Sequence, residues 1–174
     1  MKKLTICLFL LSVVTLKGQG LTKSFMVAER TFEVPESWTA EPPSSRMRKA
    51  QYKNGETEIV VFYFGVGSGG SVDANINRWM GQFKEVKEKL SSEVKQKKFK
   101  SDVITTLFAK GTYMKGPPFG QKFEMPNYGM RAAIIECEGG PIFIKMTGPV
   151  GEVVKLSGDF DKMARSGLML KIDT

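Results

Sequence analysis

The chain has 174 residues, with 26 Lys plus Arg against 18 Asp plus Glu, two Cys and no His. The missing imidazole excludes, within this chain, a Ser-His-Asp triad, a Cys-His dyad and any His-ligated metal. At 41% hydrophobic and 25% charged residues, it is too apolar for disorder and too charged for a membrane bundle, which predicts one soluble domain.

Lys2 and Lys3 precede an uncharged apolar run from Leu4 to Leu16. A basic start and a short apolar core predict a secretory signal, since crossing a bilayer takes about 20 residues. Gly18 and Gly20 fit the small residues before a peptidase cut, so residues 1–20 are expected to be a cleaved signal and residues 21–174 a single domain, periplasmic or secreted. Cys7 lies inside the apolar core after bulky Ile6, which argues against lipidation. Loss of the signal leaves a net charge of +5 and Cys137 as the one thiol, so neither an internal disulfide nor a CxxC motif is available. Cys137 ends the run AAIIEC and reads as a structural strand cysteine, with no His to activate it.

Along the remaining chain, Phe32 to Val34 predicts a short strand stopped by Pro35, and Pro42 and Pro43 an extended connection to a second segment at Met47 to Lys53. Asn54-Gly55 has hairpin-turn chemistry, and the apolar run EIVVFYFG from Glu58 to Gly65 predicts a central strand covered on both faces. Val72, Ile76, Trp79 and Phe83 recur at spacings of four, three and four, which places them on one face of a helix with Ser71 as N-cap. VKQKKFK and VITTLFAKGTY predict two strands around a turn at Ser101-Asp102, between Val94 and Tyr113. Lys115 to Asn127, which holds GPPFG, reads as a loop whose Phe119 and Phe123 either form a contact surface or fold back on the core. YGMRAAIIECE and PIFIKMTG around Gly139-Gly140 form the clearest hairpin. Pro149 then begins a second helix, weakened near Gly158, and Leu168 to Ile172 reads as a last strand.

Three features invite chemistry. Gly65-Val66-Gly67-Ser68-Gly69-Gly70 follows a strand and opens a helix, as GxGxxG does where backbone amides meet a pyrophosphate. The βαβ context and acidic partner of that fingerprint are missing, so a nucleotide is not expected. The turn reads as structural, with an anion site at Gly67, Gly69, Gly70 and Ser71 as the alternative. Between Lys84 and Lys100, seven Lys against three Glu make a local charge of +4. Lys95, Lys97 and Lys98 are therefore candidates for contact with an acidic partner or anionic surface, while Lys84 with Glu88 and Glu85 with Lys89 also suit i, i+4 pairs on a solvated helix. No row of aromatic platforms accompanies the lysines, so nucleic acid is not expected. Glu136 and Glu138 bracket Cys137 and face one side, but two acids beside a hairpin turn more often keep an edge soluble than act as catalysts. No catalytic residue, metal site or cofactor is predicted.

The stretches ESWTAEPPSSRMRKAQY, EIVVFYFGVGSGGSVDANINRWMGQF and MRAAIIECEGGPIFIKMTGP resemble a family of exported bacterial proteins of unknown function. That family in turn looks like the PsbP-type sandwich shared by photosystem II extrinsic subunits and a small Ran-binding nuclear transport factor. The resemblance implies an α+β fold, a largely antiparallel sheet flanked by helices in an α/β/α sandwich, and relatives that bind partners rather than catalyse. Together these readings predict an exported, non-enzymatic accessory protein acting by protein contact. The alternative is a small-ligand or anion-binding protein, or a minor hydrolase, using the turn at residues 65–71.

Overall fold

The computed structural model describes residues 23–117 and 119–168. The expected signal and all but Leu168 of the expected last strand lie outside them. Chain order is β1 (Lys23–Val27), β2 (Arg30–Val34), β3 (Thr39–Ala40), β4 (Arg48–Asn54), β5 (Thr57–Tyr63), α1 (Val72–Met80), β6 (Ser91–Phe99), β7 (Asp102–Lys115), β8 (Phe123–Glu136), β9 (Ile142–Pro149) and α2 (Val150–Ser166). β3 to β9 form one antiparallel sheet of order β3-β4-β5-β9-β8-β7-β6, and β1 pairs with β2 in a separate two-stranded sheet.

Strand alternation divides the core between the two faces of the large sheet. Ile59 and Val61 of β5, Ile142, Ile144 and Met146 of β9 and Ile135 of β8 pack with Phe160 and Met163 of α2 and Phe32 of β2. Phe143, Ile134 and Leu107 point to the other face, where Ile76 and Trp79 of α1 cover them. The result is helix, sheet, helix, with the small sheet added on the α2 side. Ser71 caps α1 as predicted, its hydroxyl accepting from the Ala74 N–H at 3.2 Å. β5 is interior, as its apolar run implies, although β9 occupies the middle of the sheet.

Several expectations need correction. β2 is one arm of a hairpin whose turn, Ala28-Glu29, takes positive φ at both residues (49° and 60°), so β1 had no glycine to announce it. The turn between β6 and β7 is Lys100-Ser101, one residue earlier than expected, because Asp102 is buried in a two-pronged ion pair with Arg30 (2.7 and 3.0 Å). The helix ends at Met80, and residues 81–90 form turns instead of a solvated helix. Lys84 there pairs with Glu124 at 2.7 Å, and both Glu85 carboxylate oxygens accept from the Thr112 N–H at 3.0 Å. β7 runs on to Lys115 and β8 starts at Phe123, so both ends of the expected loop are strand and the loop itself is confined to residues 116–122. α2 passes Gly158 without a break, since Val153, Phe160, Met163 and Ala164 anchor both halves to the core. Leu168 lies in the turn after α2.

Candidate functional site

Among the described residues β6 is an edge strand bonded to β7 alone, and all nine of its residues are exposed. Its register fixes the direction of each lysine, because directly opposed residues of an antiparallel pair share a face. Lys97 lies opposite Ile104, which belongs to the α2-side core, and Lys95 opposite Thr106 two residues on. Lys98 lies opposite Val103, on the side of Leu107 and α1. The three candidates therefore share a strand but not a face. Lys95 also pairs with exposed Glu93 at 2.9 Å. Val94 and Phe99 add exposed apolar surface to the same strand.

The glycine turn is built around a side chain that the sequence did not single out. Gly65, Gly67, Gly69 and Gly70 all have positive φ, from 70° to 96°. Buried Asn75 of α1 donates through its amide to the Gly69 and Ser71 carbonyls, both at 2.8 Å, and Arg78 holds the Asn75 oxygen. A Cβ on Gly69 would stand 2.7 Å from the Phe143 ring, whereas a Cβ on Gly67 would meet nothing within 4 Å. Gly67, Gly70 and Ser71 border a groove of about 290 Å³ that is also lined by Glu136, Cys137 and Glu138. An anion in that groove would meet two carboxylates, and the Ser71 hydroxyl already serves the helix cap. The Cys137 thiol lies just past β8, donates to the Gly140 carbonyl at 3.2 Å and is pushed above its ordinary value, chiefly by burial. It is thus held as the thiol rather than the nucleophilic thiolate.

A polar cluster on the α1 face also escaped the sequence reading. Half-buried Lys145, in the middle of β9, donates from Nζ to Gln82 Oε1 at 2.9 Å, and the Tyr113 hydroxyl donates to the same oxygen at 3.1 Å. The ammonium stands 5.9 Å from the centre of the Tyr113 ring. Burial first, then the positive charge of Arg48, lowers Lys145 to about 8, with Glu58 opposing and Arg78 and Lys122 adding to the fall. Burial raises Tyr113 to about 12. No single run of sequence predicts this cluster, because Gln82 and Lys145 are brought together only by the sheet order.

The tip between β7 and β8 presents Phe119 fully exposed and Phe123 largely so, so neither folds back on the core. Lys122 donates to the carbonyls of Gly116 and Pro117, at 3.2 and 2.5 Å, and closes the loop. Among the described residues, no helix is long and apolar enough to cross a membrane.

No family model matches the sequence, and no curated protein does. Solved structures do match. The solution structure of cyanobacterial PsbP (CyanoP) from Synechocystis sp. PCC 6803 superposes with a TM-score of 0.56 at 13% identity, over 88% of this chain and 96% of that one. A Pseudomonas aeruginosa protein of unknown function, PA94, aligns over 86% of this chain and 97% of its own at 12% identity, with a TM-score of 0.38. At such identity the likeness to CyanoP is one of architecture, and what it shows is that this chain has the PsbP-like α+β fold.

Proposed function

We propose that the protein is a non-enzymatic accessory factor, acting outside the cytoplasm, that binds a macromolecular partner along β6. The observation that carries this reading is the edge itself: nine consecutive exposed residues holding Lys95, Lys97 and Lys98 against the single acid Glu93. The likeness in fold to CyanoP is compatible with such a role. The glycine turn is assigned to packing, because Asn75 and Phe143 occupy its inner side and two glutamates line the groove beside it.

Capture from an extracytoplasmic extract with an amine-reactive cross-linker tests the reading. The expected result is a saturable, salt-sensitive partner that is lost when Lys95, Lys97 and Lys98 are all changed to Gln. Equal capture by the triple variant would remove β6 from the account.

A further inference from the structure

The lysines of β6 are split between the two sides of the sheet, so a partner lying flat on either side cannot reach all three. A strand running alongside β6 can, because its own side chains alternate between the same two faces. Among the described residues, no strand covers the outer edge of the β6 backbone either. As the terminal strand of its sheet, β6 turns the N–H and C=O of every second residue away from β7. We propose that a strand of the partner adds to the sheet at β6, an acidic extended segment bonded along Ser91–Phe99 with carboxylates set against Lys95 and Lys97 on one face and Lys98 on the other. This inference rests on the partner-binding reading above and names the chemistry of the segment bound.

Charge selects the occupant. β6 carries three lysines and one glutamate, so a second copy of the same strand would bring six lysines together with only two carboxylates. Like charges directly opposed across a strand pair are destabilising, so a lysine-lined edge repels basic strands, and it disfavours uncharged ones because they would desolvate its ammonium groups without compensation. The residues that discourage self-association are the ones that favour an acidic strand, which is discrimination by repulsion as well as attraction. The order of residues along β6 also sets the pattern of an antiparallel partner: apolar opposite Phe99, acidic opposite Lys98 and Lys97, polar opposite Gln96, acidic opposite Lys95, apolar opposite Val94 and uncharged opposite Glu93. The peptide VEETEVT meets that pattern.

Fluorescence anisotropy with labelled VEETEVT, and with two versions N-methylated at alternate amides in either phase, tests the proposal. The parent peptide is expected to bind, with about tenfold weaker affinity both for the Lys95→Glu/Lys97→Glu variant and for the Lys98→Glu variant. At least one N-methylated version is expected to bind about tenfold more weakly too, since it cannot bond to the strand edge. All of the substituted side chains are exposed, so a loss is not attributable to misfolding, and circular dichroism of each variant verifies that. Equal binding by both N-methylated peptides would overturn strand addition while leaving a basic contact surface intact. Failure of the parent peptide to bind, or formation of a β6-dependent dimer in sedimentation, would overturn the proposal whether or not cross-linking captures a partner.

Discussion

Lys145 places an ammonium on the middle strand of the sheet with Gln82 as its hydrogen-bond acceptor, and its lowered pKa has a definite sign in stability. Its value of about 8 in the fold lies below the free lysine's 10.5, so the unfolded chain binds more protons between those two values. The destabilisation is full below about pH 8 and is relieved as pH rises through that window. Cys137 and Tyr113 are raised by burial and act in the opposite sense above their free values of 9.0 and 10.0. Urea unfolding should therefore show stability rising between about pH 8 and 9, and Lys145→Met should flatten that rise and add up to about 3 kcal/mol at pH 7. A slope unchanged in the variant would refute the assignment. In the glycine turn, Gly67→Ala should cost about 1–2 kcal/mol through its positive φ alone. Gly69→Ala should cost clearly more, because its Cβ would also strike the Phe143 ring. Equal losses would show that packing against Phe143 is not what the turn requires. The turn was legible in the sequence as six residues between a strand and a helix. The roles of Asn75 and Lys145 were not, since each follows from partners set by tertiary structure.

Individual elements were legible where local chemistry and tertiary demand agree. Ser71 and the apolar stripe of α1 behave as their sequence implies, and both expected hairpins form, each with its turn one residue away from the expected pair: Gly55-Glu56, because Asn54 still pairs with Thr57, and Glu138-Gly139, closed by the Gly140 N–H on the Cys137 carbonyl at 2.9 Å. β1 escaped notice because Ala28 and Glu29 adopt left-handed conformations without a turn residue to signal them. Gly158 misled in the opposite direction, for its helix penalty of about 1 kcal/mol is small beside the burial of Phe160 and Met163. It lies exposed in α2, and an added Cβ would meet nothing within 4 Å. Gly158→Ala should accordingly stabilise the protein by about 0.5–1 kcal/mol in thermal or urea unfolding. A loss of stability would mean that the helix needs the glycine. The turns at residues 81–90 depart from a helix for a comparable reason, since Lys84 and Glu85 find partners on β8 and β7 rather than one turn away.

At the scale of the whole molecule, alternating strands and two amphipathic helices pointed to an α+β fold and the family resemblance implied a PsbP-type sandwich, and the PsbP-like architecture bears both out. Sheet order was the part not written locally. β5 pairs with β9 across 79 to 89 residues of sequence, and that pairing sends the β6–β7 hairpin to the outside. An all-exposed lysine strand therefore reads as a charged patch from sequence and as an open sheet edge from structure. One measurement tests whether that edge is the working surface: hydrogen exchange, residue by residue, of the protein alone and saturated with VEETEVT. The account predicts slowed exchange concentrated at alternate amides of Ser91–Phe99, with the rest of the sheet unchanged. Slowed exchange elsewhere, with β6 as open as before, would contradict it.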